Sequence, residues 1–68
     1  MQHEYLSLKT EDREYAIEPL FFDMLYVAVY DLEGNLLEEK RKMDSKEGWA
    51  WKTRIEEETG RRFEITKV

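Results

Sequence analysis

Sixty-eight residues, with 16 Asp and Glu against 11 Lys and Arg, 41% hydrophobic and without cysteine, describe one domain near the smallest size at which a single core offsets the chain entropy lost on folding. The absence of cysteine excludes disulfide staples, zinc ribbons and thiol chemistry. The net charge of −5 argues against broad binding to a phosphate backbone, which relies on clustered cations.

The first residues, MQHEYLSLKTED, lack the basic start and apolar centre of a secretory signal, and no apolar run approaches the roughly 20 residues of a membrane span. A cytoplasmic chain with no membrane partner is therefore expected. Charged residues of both signs are interspersed throughout, so the surface reads as well solvated around a fold that takes in residues 1–68 as one domain.

In chain order, YLSLK alternates, with Leu6 and Leu8 on one side and Tyr5, Ser7 and Lys9 on the other, and EYAIE follows after the polar turn TEDR. That pattern predicts a hairpin. Pro19 removes a backbone donor and ends the second strand, with LFF as a connection. Met24 to Tyr30, MLYVAVY, is apolar or aromatic at every position and reads as the central strand. Leu25, Val27 and Val29 share one of its faces, and Met24, Tyr26, Ala28 and Tyr30 share the other.

DLEGN then supplies turn chemistry, and LLEEKRKM returns as a strand so charged in its second half that it belongs at an edge. Asp44 as N-cap, Glu47 three residues on and Gly60 as a left-handed C-cap bracket a helix from about Ser45 to Thr59. Along it Gly48, Trp51, Ile55 and Thr59 form one stripe. Trp51 and Ile55 are expected to face a sheet, while Trp49 falls on the flank with Thr53 and Glu56. RFEITKV alternates again as a fifth strand. The order β-β-β-β-α-β specifies an α+β domain, a mostly antiparallel five-stranded sheet with one helix on one face, and a right-handed return places the last strand beside the first.

Candidates for catalysis are few. His3 stands at the terminus, Ser7 in a strand and Ser45 at a helix start, and each has an ordinary structural or incidental role. Asp23, between Phe22 and Met24, is the one carboxylate in an apolar setting and fits a strand-entry turn. Glu56, Glu57 and Glu58 point about 100° apart on a helix and cannot converge on a metal ion, so they read as a solvated face. No motif with its own mechanism occurs, and neither a cofactor nor a metal site is expected.

A basic patch of Lys40, Arg41, Lys42 and Lys46 can be drawn beside the helix start, where free amides also favour phosphate. Glu38, Glu39, Asp44 and Glu47 interrupt it, which disfavours phosphate contact, and although Glu56, Glu57 and Glu58 with Glu38 and Glu39 could imitate phosphates, five excess charges are too few to prefer that; a nucleic-acid-associated regulator is the alternative reading. The strongest signal is the arithmetic of cover. A strand apolar on both faces meets a single helix, so the second face needs cover from the PLFF connection, from curling of the sheet, or from another molecule. The expectation is a non-enzymatic interaction module, a homodimer or a binder of a protein partner, with Tyr26, Ala28, Tyr30 and Trp49 as interface candidates.

Overall fold

The computed structural model describes residues 4–20 and 24–67, with the backbone alone for Lys42. Its elements are β1 (Glu4–Lys9), β2 (Arg13–Pro19), β3 (Met24–Asp31), β4 (Leu36–Asp44), α1 (Ser45–Thr59) and β5 (Glu64–Lys67). The five strands form one sheet in the order β4-β3-β2-β1-β5, antiparallel at each pairing. The last strand lies beside the first, as the sequence predicts. Met24–Tyr30, expected as the central strand, is instead second from an edge, and β2 occupies the middle. A strand with a neighbour on each side satisfies the same apolar pattern, so periodicity alone does not separate the two positions.

The β1–β2 and β3–β4 turns are closed by local chemistry. In the first turn Thr10 Oγ1 accepts from the Arg13 amide at 3.1 Å, and the Thr10 amide donates to the Arg13 carbonyl at 2.9 Å. In the second, Asp31 Oδ1 accepts from the amides of Glu33 and Asn35, each at 2.9 Å, while Asn35 Nδ2 donates to Asp31 Oδ2 at 3.0 Å. Gly34 has φ 91°, a conformation at which a Cβ is strained.

The helix begins where Asp44 Oδ1 accepts from the Glu47 amide at 2.8 Å, and ends at Gly60, φ 69°, whose amide donates to the Glu56 carbonyl. Buried Ile55 faces the sheet with half-buried Trp51, and the core combines them with Leu8, Ile17, Leu25, Val27, Met43 and Phe63. Trp51 stands between Tyr15 and Phe63, with ring centroids 6.1 Å and 6.0 Å away. Gly48 packs close against the sheet, and a Cβ there would fall on Leu25 Cδ1.

Strand β4 carries two register shifts. Arg41 and Lys42 together oppose Tyr26, and Leu37 is the extra residue between the pairs Val29–Glu38 and Tyr30–Leu36. Bulges on a charged outer strand blunt a sheet edge against pairing with other chains. Among the described residues no helix is long and apolar enough to cross a membrane.

Candidate functional site

The pairing fixes which side chains share the helix-free face. Ser7, Ala16, Ala28 and Glu39 run across it in one row, with Glu64 beyond Ser7. On one side of that row stand Glu18 and its partner Tyr26, and on the other Glu14 and its partner Tyr30.

Tyr26 and Tyr30 stand four residues apart on the same face of β3, with Ala28, which is 1% exposed, between them on the strand. Tyr26 Oη donates to Glu39 Oε2 at 2.7 Å, Arg41 Nε lies 3.8 Å from Glu39 Oε1, and the Arg41 guanidinium sits 5.5 Å from the centre of the Tyr26 ring. The hydrogen bond to Glu39 is the largest cause of a Tyr26 pKa well above the ordinary phenol value, with burial and Tyr30 adding to it. The phenol is held protonated as a donor. At the far side of the row Ser7 Oγ and Thr66 Oγ1 are 2.8 Å apart.

The four interface candidates do not form one patch. Tyr26 and Tyr30 are half-buried on the helix-free face. Ala28, between them on the strand, is buried and so offers little surface of its own. Trp49, 46% exposed, is on the other side of the sheet. It borders an apolar groove of about 240 Å³ with Leu6, Ile17, Pro19, Leu25 and Ile65, and it cannot stand at the rim of the tyrosine patch.

The basic patch is likewise dispersed. Lys40 pairs with Val27 and lines a cleft on the helix side, Arg41 is engaged with Tyr26 and Glu39 on the opposite face, and Lys46 is exposed at the helix start. The Lys42 side chain, His3, Asp23 and the Phe21–Phe22 part of the expected PLFF cover lie outside the described residues. Ser7 and Ser45 are half-buried, Ser7 with Thr66 as its partner. Among the described residues no group of three or more His, Cys, Asp or Glu side chains is placed to hold a metal ion.

Glu56 departs from its expected role as a solvated carboxylate. It is half-buried, accepts from the Phe63 amide at 2.9 Å and takes the Lys52 ammonium at 3.3 Å. The Phe63 amide is the main cause of a lowered carboxyl pKa, against which burial works. Glu56 thus fastens the helix to the segment that enters β5. A backbone partner seven residues away leaves no side-chain signature in sequence, so that role was not legible there.

Large exposed apolar side chains gather at the β3–β4 hairpin, where Leu32, Leu36 and Leu37 are 61%, 48% and 49% exposed. The bulge sets Leu36 and Leu37 together opposite Tyr30. No family model, no curated protein and no solved structure matches the chain.

Proposed function

We propose that this chain is a small cytoplasmic protein-interaction module that acts by contact, not by catalysis. Its binding surface is the helix-free face of the sheet, with Tyr26 and Tyr30 as anchors. The observation that carries the reading is the one-sided cover of the sheet: α1 packs over Val27, Met43 and their neighbours, and among the described residues no element packs on the tyrosines. Large, rigid aromatic side chains dominate the energy of protein interfaces.

A second copy of the chain is the simplest occupant. Five strands about 4.8 Å apart and about six residues long give a face of roughly 500 Å², so two copies bury on the order of 1,000 Å², at the lower end of specific interfaces. The face carries Glu14, Glu18, Glu39 and Glu64 against Lys9 and Arg41, four carboxylates to two cations. Self-pairing by stacking such faces is weak and strengthens as salt screens the like charges.

Sedimentation velocity over a range of concentrations tests this on the wild type and on the Tyr26→Glu, Tyr30→Glu double variant. A concentration-dependent dimer, tighter at high salt and absent in the folded double variant, supports the reading. A wild type that stays monomeric, or a variant that dimerises equally well, removes the self-pairing form of it.

A further inference from the structure

The two edges of the sheet are finished differently. At one, β4 carries two register shifts and an unbroken run of charged residues from Glu38 to Lys42, devices that stop a sheet from pairing with a further strand. At the other, β5 follows β1 through four consecutive pairs without a shift, from Ser7–Glu64 to Glu4–Lys67. Among the described residues no strand pairs with the outer side of β5. A regular edge presents a row of backbone amides and carbonyls, and what satisfies such a row is another extended chain.

Beside this edge the helix leaves the sheet open. It packs over β3 and β4, and Trp51 extends the cover to Tyr15 on β2. The same side of β1 and β5 keeps the apolar groove floored by Leu6 and Ile17 and walled by Trp49 and Ile65. Ile65 is 65% exposed, more than any other large apolar side chain among the described residues. It pairs with Leu6, so a strand added outside β5 sets a side chain directly beside it, on the groove side.

We propose that the outer edge of β5 takes up an extended segment of a partner protein as a further strand, with a bulky apolar side chain of that segment laid over Ile65 and towards the groove. The proposal rests on the reading of the chain as an interaction module and gives it a second contact surface, on the edge of the sheet instead of its face. In this mode of recognition backbone hydrogen bonds supply affinity and side-chain pockets supply selection.

A second copy is the poorer occupant. Two four-residue strands meet along about 13 Å and to a depth of about 10 Å, on the order of 130 Å² per copy, where a standard interface takes roughly 800 Å². Antiparallel two-fold pairing also keeps both helices on one side, so the mate offers only Ile65 and Lys67 there, and its Ile65 stops against the first. A separate segment is free of that limit. The shortness of β5 and its charges, with Lys67 held 3.7 Å from Glu4, keep the edge from accepting every strand it meets. The apolar side chain is what selects.

The probe is a short capped peptide that alternates phenylalanine with serine. One counterpart is N-methylated throughout, which keeps the side chains and removes the backbone donors; another has its phenylalanines in one block, which breaks the alternation. Each is titrated into the ¹⁵N-labelled chain and followed by chemical shifts and hydrogen exchange. The expected result with the alternating peptide is a set of shifts centred on Glu64 to Lys67 that reaches the Trp49 indole, with slowed exchange along β5. Affinity falls about tenfold or more for either counterpart, and for the alternating peptide with Ile65→Ser, as for the loss of an anchor.

Thermal melts confirm that Ile65→Ser folds, and the comparison of peptides on the wild type stands without it. Equal binding of the alternating and methylated peptides, shifts centred on β4 or on the tyrosine face, or undiminished binding by Ile65→Ser overturns the proposal. Protection of β5 that grows with protein concentration alone assigns the edge to a second copy and also overturns it. A chain that pairs through its tyrosines while β5 ignores the alternating peptide keeps the proposed function and loses this inference.

Discussion

Replacing Trp51 by Ala removes the side chain that joins the helix to the middle strand through Tyr15 and to the entry of β5 through Phe63, and its cost can be worked from its surroundings. An enclosed tryptophan buries about 150–250 Å², worth about 4–6 kcal/mol at ~25 cal/mol per Å². Partial exposure reduces this to about 3–5 kcal/mol on the same scale. The edge and tilted contacts with Tyr15 and Phe63 add about 0.5–1.5 kcal/mol. A loss of about 4 kcal/mol or more matches the whole stability of about 3–5 kcal/mol available to so small a core.

Trp49, 46% exposed, costs less, about 2–3 kcal/mol on the same scale. Urea denaturation followed by circular dichroism measures both. Each variant also keeps one indole, so fluorescence separates a blue-shifted Trp51 from a red-shifted Trp49. Equal losses, or a Trp51→Ala variant within about 1 kcal/mol of wild type, would refute the packing of the helix described here.

Gly48→Ala gains up to about 1 kcal/mol of helix propensity but drives a methyl into Leu25. Overpacking at about 1–3 kcal/mol wins, and a lower melting temperature is expected; a higher one means that Leu25 has room to turn aside. Asp44→Ala removes the N-cap acceptor and lowers stability by about 1 kcal/mol in urea titration, with no change marking the cap as redundant. Glu56 has a folded-state pKa below its ordinary value of 4.5, so its contribution is full above that pH and fades as acid protonates it in the fold. Melts from neutral pH to below 4 then show a shallower decline for Glu56→Gln than for wild type, and parallel curves would contradict the linkage. Tyr26 has the opposite sign. Its pKa is raised above 10.0, its contribution is full below pH 10 and fades as the pH climbs towards the folded value, and ultraviolet titration should show one late phenol that moves earlier in Glu39→Ala.

Much of the fold follows from local signals because it is locally encoded. Asp44, Glu47 and Gly60 each act within one helical turn, and the helix runs from Ser45 to Thr59 where they place it. Alternation in YLSLK and MLYVAVY assigns faces by the pleat alone, so Leu8 and Val27 fall in the core as expected. The charges of LLEEKRKM place that strand at an edge for the same reason.

What the chain pattern could not supply depends on register. The bulge that brings Arg41 over Tyr26, the bond from Tyr26 to Glu39 and the bond from Phe63 to Glu56 arise between residues whose pairing is set by tertiary contacts. Trp49 was grouped with the tyrosines because both are surplus to one core, but the helix and the bare sheet face look in opposite directions.

The most direct test of the tyrosine face as a contact surface is an isotope-filtered NOE measurement on a mixture of ¹³C,¹⁵N-labelled and unlabelled chain at high concentration and high salt. Intermolecular signals from the ring protons of Tyr26 and Tyr30 to the same face of a second copy are predicted. Intermolecular signals confined to Trp49 or to an edge strand, or their complete absence from a concentrated sample, would contradict self-pairing through that face.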